Sequence, residues 1–382
     1  MNQNQPGESP TIVFGVTSAQ SLRLLGPLPE AMADSGWKVH LVCSPDHRFP
    51  HAFREPVTLH EIPMSRNPSP YKDALALFRW ISLLKNLRPD VVSVGTPKAA
   101  LLGMLASCLC GVPARIYVLR GLRLETARGW LRLLLWVVEK ITSGSSTRIL
   151  ATSPSVSKLY SDLKLARPSK MELLGLGSSH GVDTSHFVPL VGQRGLQKKK
   201  FGLNPELPVI GFVGRLSEDK GSTTLMEIHE SLARRGLDHQ MLIVGSPEIP
   251  MEVSISPRIK QSQLIFLGHV PDPAGVYRAM DFLLLPTLRE GFPNVALEAG
   301  ASGIPVIVSD ATGAIDSVVP GKTGLVVPKG DSVAFLTASV RLLQQPHLRE
   351  ELGVQAREWV TSNFDYQTVT VKHVRFYREQ LA

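Results

Sequence analysis

In the first half of the chain, short apolar runs rich in β-branched residues alternate with longer stretches whose hydrophobic and polar positions have helical spacing. Apolar runs of four to eight residues bounded by turn residues indicate buried strands, and their alternation with helical stretches indicates a parallel sheet covered by helices. The predicted strands of this half are Thr11–Val16, Lys38–Cys43, Val91–Gly95, Arg115–Leu119 and Arg148–Thr152.

The second half repeats this pattern, so the chain is predicted to be an α/β protein with two doubly wound domains. A stretch rich in Pro, Gly and Lys separates them, which predicts domains 1–190 and 191–382. The final segment, 366–381, is predicted to be a helix long enough to cross back to the first domain. The predicted strands of this half are Val209–Val213, Met241–Gly245, Leu264–Leu267, Phe282–Pro286 and Val306–Ser309.

Composition agrees with a soluble two-domain protein, since the chain has 382 residues with 43% hydrophobic and 19% charged side chains. Three cysteines and a polar N-terminus without an apolar segment predict a cytoplasmic location. The net charge is +8, and residues 1–192 carry the whole excess, with 21 Lys and Arg against 13 Asp and Glu, whereas 193–382 carry 20 of each.

Much of the basic excess lies between Arg115 and Arg148, beside the apolar stretch Leu133–Val138. Basic residues beside exposed apolar side chains favour an anionic membrane surface. The alternative is a core helix with a solvated basic face. A nucleic-acid partner is not predicted, because the chain lacks a recognised motif and any basic stretch interleaved with aromatic residues.

The segment Gly214–Gly221 follows a predicted strand and leads into a helix that begins near Ser222. Its glycines permit close backbone approach, and Arg215 and Lys220 place positive charge beside a helix N-terminus. These features are typical of a diphosphate site, with a solvated loop as the alternative. No Asp-x-Asp motif and no His or Cys cluster with metal-ligand spacing occurs, so no metal is predicted.

Two glutamates, Glu290 and Glu298, follow another predicted strand, eight positions apart. Ligands of open α/β sheets bind outside the carboxyl ends of the strands. Glu290 is therefore expected to face that crevice, and Glu298 to lie two helical turns further on. This spacing suits a long polar ligand held at two points.

With these segments in place, the chain resembles the retaining glycosyltransferases of the two-Rossmann-domain (GT-B) architecture, family 4, in the branch that builds bacterial capsule, exopolysaccharide and O-antigen. The resemblance implies two Rossmann-like domains facing a central cleft, an N-terminal acceptor domain and a C-terminal nucleotide-sugar domain. The segments that carry it are Gly214-Arg215, Lys220-Gly221, Glu290–Glu298, Pro89–Val92, Thr96–Ala99, Gly121–Arg123, Glu125-Thr126 and Gly177–Asp183.

Carried over residue by residue, the resemblance implies that Arg215 and Lys220 hold the donor diphosphate, that Glu290 contacts the donor sugar, and that Glu298 binds the ribose hydroxyls. Arg215, Lys220 and Glu290 are the implied catalytic residues. Pro293 departs from relatives that have glycine there, because proline has no N–H to donate. The further implied donor contacts are Gly214, Gly291, Phe292, Asn294 and Val295.

The implied reaction transfers a hexosyl or N-acetylhexosaminyl group from a UDP-sugar to a polyprenyl-diphosphate-linked or oligosaccharide acceptor, with no cofactor, at the inner face of the membrane. Alternatives are a nucleotide-sugar 2-epimerase of the same architecture and a non-catalytic scaffold for polysaccharide assembly. Arg120 stands where relatives often carry His. The candidate acceptor or sugar contacts are Ser18, Ser21, Thr96, Lys98, Arg120 and Glu125.

Overall fold

The computed structural model describes residues 9–46, 53–65, 67–190, 192–248 and 263–381. The chain divides into two units of similar size. The first unit runs to His180 and also includes the residues from Gln367 onward, whereas the second unit runs from Gly181 to Tyr366. The division thus lies ten residues before the predicted boundary at 190, and the final helix belongs to the first unit except for its first residue.

A seven-stranded parallel sheet forms the centre of the first unit, in the order β3-β2-β1-β4-β5-β6-β7. All five predicted strands form within two residues of their predicted bounds. The two that the sequence missed, β3 and β7, are short edge strands without an apolar run. The strands are β1 (Thr11–Ser18), β2 (Lys38–Ser44), β3 (Thr58–Glu61), β4 (Val91–Gly95), β5 (Ala114–Leu119), β6 (Arg148–Ala151) and β7 (Met171–Leu173).

Helices cover both faces of this sheet. One face packs on α2, α3, α4 and α5, and the other on α1 and the C-terminal helix α12. Helix α3 lies between α2 and α4 and contacts both. The bounds are α1 (Leu28–Asp34), α2 (Pro70–Leu87), α3 (Pro97–Leu109), α4 (Gly129–Ser145), α5 (Pro154–Asp162) and α12 (Tyr366–Glu379).

The second unit contains a six-stranded parallel sheet in the order β10-β9-β8-β11-β12-β13. The five predicted strands form within one residue of their predicted bounds, and β13 was missed. The strands are β8 (Val209–Val213), β9 (Gln240–Val244), β10 (Leu264–Gly268), β11 (Phe282–Leu285), β12 (Val306–Ser309) and β13 (Gly324–Val327). The helices are α6 (Arg194–Lys200), α7 (Ser222–Arg234), α8 (Ala274–Ala279), α9 (Asn294–Ala301), α10 (Ser332–Gln344) and α11 (Pro346–Phe364).

Both sheets are doubly wound, as predicted, and the strand order reverses between β1 and β4 in the first unit and between β8 and β11 in the second. Loops that leave the carboxyl ends of such a strand pair diverge to opposite faces and open a crevice between them. Among the described residues, no helix combines the length and apolar character needed to cross a bilayer.

Candidate active site

The predicted donor-site residues that precede α9 lie on two loops at the strand-order reversal of the second unit. Gly214 follows β8, Glu290 follows β11, and these two strands pair in parallel, with Ile210 opposite Phe282. Parallel neighbours end at the same edge of a sheet. The fold therefore brings together two segments that lie more than 70 positions apart in the sequence.

Lys220 and Glu290 make a direct ion pair across these loops. The distance between Lys220 Nζ and Glu290 Oε1 is 2.5 Å, and the two side chains are 21% and 12% exposed. A half-buried pair is screened less by solvent and salt than a surface pair. Each residue therefore fixes the position of the other.

Arg215 belongs to a second group of charges, which the sequence did not predict. It forms an ion pair with Glu248 and lies 3.9 Å from Asp219 Oδ2, and the same oxygen accepts a hydrogen bond from Arg289 Nη2 at 3.1 Å. Burial opposes ionisation of Asp219, but the Ser217 hydroxyl and the charges of Arg289, Arg215 and Lys220 outweigh it and lower the Asp219 pKa. Asp219 stays ionised and holds the cations of both loops together.

The backbones of the two loops also touch. Asp219 O accepts hydrogen bonds from Leu288 N at 2.9 Å and from Thr287 Oγ1 at 3.0 Å. Gly221 has a φ of +74°, and a Cβ placed there would lie 2.1 Å from Pro286 O. Only glycine satisfies both conditions. The approach of these two loops thus depends on Gly221.

The remaining predicted donor contacts lie around the start of α9. Asn294 and Val295 are its first two residues, and Gly291 precedes the helix by three positions. Phe292 is 7% exposed and packs on Phe364 with ring centroids 5.3 Å apart, so its side chain belongs to the core. The first N–H groups of a helix have no partner within the helix and favour an anion. The backbone at this point therefore suits phosphate or hydroxyl oxygens.

Glu298 lies on α9 and is held by a residue that the sequence did not single out. Tyr277 OH donates a hydrogen bond to Glu298 Oε2 at 2.7 Å. Burial and the charge of Glu298 raise the pKa of Tyr277 well above its usual value, so its hydroxyl remains a donor. This hydrogen bond fixes the position of the Glu298 carboxylate.

The loop that follows β12 packs against the Glu290 loop. Glu290 N donates to Thr312 O at 2.9 Å. Gly313 has a φ of +77°, and a Cβ there would lie 2.5 Å from both Glu290 O and Gly291 O. Neither Thr312 nor Gly313 carries a sequence motif that would have identified it, because the contact is made by backbone atoms.

The candidate residues of the first unit lie at or just beyond the carboxyl ends of β1, β4 and β5. Thr96 follows β4, and its Oγ1 accepts a hydrogen bond from Thr17 N at 2.8 Å. Lys98 Nζ lies 2.5 Å from Asp73 Oδ2, so this ammonium already has a carboxylate partner. The other candidates are Ser18 and Ser21, whose hydroxyls lie 2.8 Å apart, Arg120 directly after β5, and Glu125 at the end of a 3₁₀ turn.

Helix α4 contains the apolar stretch for which two interpretations stayed open. Leu135 and Trp136 pack on the core, but the rest of the apolar surface faces outward. The exposed apolar side chains of α4 are Trp130, Leu131, Leu133, Leu134, Val137 and Ile141. A core helix with a solvated basic face does not account for six exposed apolar residues.

Comparison with known proteins assigns both units to glycosyltransferase families. The family described as "Glycosyl transferase 4-like domain" matches residues 25–177, and "Glycosyl transferases group 1" matches residues 207–345. A capsular polysaccharide biosynthesis glycosyltransferase, CapM, from Staphylococcus aureus is 35% identical over 357 residues, 93% of each chain. The chain belongs to this glycosyltransferase family.

Another relative, from Escherichia coli, is named UDP-Gal:alpha-D-GlcNAc-diphosphoundecaprenol alpha-1,3-galactosyltransferase and is 27% identical over 82% of each chain. Among solved structures, the sucrose-phosphate synthase of Thermosynechococcus elongatus has a TM-score of 0.80 at 20% identity and covers 97% of this chain and 98% of its own. Anabaena HepE, solved with UDP and glucose, has a TM-score of 0.78 at 17% identity, with 97% and 99% covered. These structural neighbours confirm the predicted GT-B fold.

Proposed function

We propose that this glycosyltransferase moves a hexosyl or N-acetylhexosaminyl group from a UDP-sugar to a polyprenyl-diphosphate-linked sugar, with retention of anomeric configuration, in the assembly of a cell-surface polysaccharide. The observation that carries the proposal is the contact between Lys220 and Glu290 at the strand-order reversal of the second unit. It places a cation and a carboxylate where open α/β sheets bind their ligands.

In this proposal Arg215 and Lys220 bind the donor diphosphate. Their side chains are 37% and 21% exposed, so both can reach a ligand. A guanidinium binds two phosphate oxygens with its planar donors, and an ammonium adds a point charge. The choice of UDP is supported by the Escherichia coli relative, whose name specifies UDP-Gal, and by HepE, which was solved with UDP.

The proposed reaction breaks the bond between the anomeric carbon and the diphosphate oxygen and forms a bond from the acceptor oxygen on the same face of the sugar. The acceptor hydroxyl proton passes to the departing diphosphate, so no protein nucleophile is required. Lys220 and Arg215 stabilise the charge that develops on the leaving group, which makes a metal unnecessary in this step. Glu290 contacts the sugar hydroxyls and favours positive charge at the anomeric carbon.

Other residues of the second unit position the donor. Glu298 binds the ribose hydroxyls, and the hydrogen bond from Tyr277 fixes its carboxylate. Gly214 lets the diphosphate approach the backbone. The proposed backbone contacts to phosphate and sugar oxygens are those of Gly291, Phe292, Asn294 and Val295.

The first unit is proposed to bind the acceptor at a membrane surface. Helix α4 exposes Trp130 and Leu133 at 76% and 65%, and helix α2 exposes Tyr71 and Phe78 at 82% and 70%. All four lie in the N-terminal halves of helices that begin at the carboxyl edge of the sheet. The excess of positive charge in this half of the chain complements an anionic lipid surface. The acceptor contacts are proposed among Ser18, Ser21, Thr96, Lys98, Arg120 and Glu125.

Liposome flotation tests the membrane proposal. The double variant Trp130→Ser, Leu133→Ser is expected to lose binding to vesicles that contain anionic phosphatidylglycerol. The matched control is Val354→Ser, Val371→Ser, which removes two exposed apolar residues from other helices, 54% and 67% exposed. Equal flotation of the two double variants, or no binding by the wild-type chain, would contradict the proposal.

A transfer assay tests the reaction. The wild-type chain is incubated with a panel of UDP-sugars, with and without an acceptor composed of N-acetylglucosamine on a short polyprenyl diphosphate. Formation of a disaccharide lipid with a retained anomeric linkage, determined by NMR, is expected only with the acceptor. A new UDP-sugar formed without the acceptor would show a 2-epimerase, and no product with any donor would favour a scaffold.

A further inference from the structure

Arg120 is a partly buried cation of the first unit. It directly follows β5, and both its Nε and its Nη1 are buried and make no hydrogen bond. Across the described part of the chain, Arg120 takes part in no ion pair. Burial lowers the pKa of Arg120 to about 10, a value at which it remains charged at neutral pH. Buried polar nitrogens without a hydrogen-bond partner are costly, and more so on a charged group, so this arrangement requires a reason.

The groups around Arg120 are neutral. Tyr377 exchanges a hydrogen bond with Ser93 at 2.7 Å, and burial raises the pKa of Tyr377 to about 12. His373 donates from Nδ1 to Val369 O at 2.9 Å, and burial, with a smaller contribution from the charge of Arg120, lowers its pKa to about 4. At neutral pH both side chains are uncharged, and neither serves as the counter-ion of Arg120.

The position of Arg120 in the sheet favours a ligand as its counter-ion. It lies at the carboxyl edge beside Gly95, the last residue of β4, and a Cβ on Gly95 would lie 2.9 Å from Arg120 Nε. Strand β4 is one of the two strands at which the order of the first sheet reverses. Glycine leaves the space that the guanidinium occupies, at the edge where ligands of such sheets bind.

We propose that Arg120 binds an oxyanion of a substrate, either a carboxylate or a phosphate group, and so selects an acidic substrate for the first unit. This proposal rests on the transferase function proposed above. The fixed planar donors of arginine suit both groups, and an oxyanion supplies the several acceptor oxygens that two unpaired nitrogens require. The carboxylate would come from a uronic-acid sugar, and the phosphate from the diphosphate of the lipid acceptor.

Arg115, at the other end of the same strand, provides a matched control. Its Nε donates to Ser145 O at 2.7 Å and its Nη1 to Val112 O at 2.6 Å, so it has the partners that Arg120 lacks. Thermal unfolding without ligand separates a structural role from a binding role. Arg115→Met is expected to lower the melting temperature, whereas Arg120→Met is expected to leave it unchanged or raise it.

Paired substrates then identify the oxyanion. One pair is UDP-glucuronate and UDP-glucose, which differ in the sugar carboxylate. The other is N-acetylglucosamine carried on a short polyprenyl diphosphate or on an alkyl chain of equal length. Arg120→Met is expected to lower kcat/KM roughly 10- to 100-fold more for the anionic member of one pair than for its neutral partner. Arg120→Lys is expected to recover part of the loss, because it restores the charge but not the planar donors.

Equal kcat/KM of Arg120→Met and wild type for both pairs would overturn the proposal, as would an equal loss for both members of each pair. A fall in melting temperature that matches Arg115→Met would show a structural role instead. The transferase proposal is tested separately by calorimetric binding of UDP. If the wild-type chain does not bind UDP, that proposal fails, whereas UDP binding with unaltered selectivity in Arg120→Met rejects only the role of Arg120.

Discussion

Substitution of Gly313 by alanine tests whether the position of the Glu290 loop controls the reaction. A Cβ at Gly313 would lie 2.5 Å from Glu290 O and Gly291 O. Carbon to oxygen contacts are normally no shorter than about 3.3 Å, so the Glu290 loop must shift by roughly 0.8 Å. Because a displacement near 1 Å at a reacting centre costs about 100-fold, kcat/KM is expected to fall roughly 10- to 100-fold.

Gly330→Ala is the control, because Gly330 has the same φ of +77° but no atom within 4 Å of its Cβ position. Both substitutions force alanine into the left-handed region, which costs about 1 to 2 kcal/mol. For a unit of this size, this backbone cost alone is expected to lower the melting temperature of each variant by roughly 2 to 8 °C, and the contact at Gly313 adds to the loss in Gly313→Ala. Only Gly313→Ala is expected to lower the transfer rate as well.

Initial rates of sugar transfer and thermal unfolding are measured on the wild type and the two variants. A wild-type rate in Gly313→Ala would refute the reasoning, because it would show that the contact of Gly313 with the Glu290 loop does not affect the chemistry. A rate loss in Gly330→Ala of the same size would attribute the effect to general destabilisation.

Three further outcomes are expected. Glu290→Gln should lower kcat roughly 100-fold in initial-rate assays while the variant remains folded, and a change below about threefold would contradict its catalytic role. Tyr277→Phe should raise KM for the UDP-sugar roughly tenfold, since the Glu298 carboxylate loses its fixing hydrogen bond, and an unchanged KM would speak against ribose binding by Glu298. Burial raises the pKa of Glu139 to about 7, so wild-type stability falls as pH rises from about 4.5 to about 7. Glu139→Gln should therefore gain at most about 3 kcal/mol over wild type in urea unfolding at pH 8 and little at pH 4, and a gain independent of pH would refute this.

Apolar runs predicted ten strands and the α/β class because these strands are buried and carry clear patterns. Strands β3 and β7 escaped prediction because they are short edge strands, whose half-solvated residues need no apolar run. The position of the division between the units differs from prediction by about ten residues, because composition marks a polar linker but not the contacts that define each unit.

At the candidate site, sequence spacing predicted Lys220 and Glu290, and the fold brings them into contact. It did not predict Asp219, Tyr277 or Gly313. Asp219 acts through a charge network between two loops, and Gly313 acts through backbone atoms. Such contacts arise only when separate strands of the sheet pair, so no local motif records them.

The sequence also does not reveal the surroundings of Arg120. Sequence identified it as a departure from relatives that carry His, but only the structure shows that its buried nitrogens have no partner.

Calorimetric titration of UDP, without added metal, into the wild-type chain, Lys220→Met and the control Lys322→Met tests the central claim most directly. Lys322 is an exposed lysine of the second unit, in a turn before β13. The proposed site predicts that the wild type and Lys322→Met bind UDP with similar affinity and that Lys220→Met binds at least about tenfold more weakly. Equal affinity of Lys220→Met and the wild type would contradict the claim that Lys220 holds the donor diphosphate.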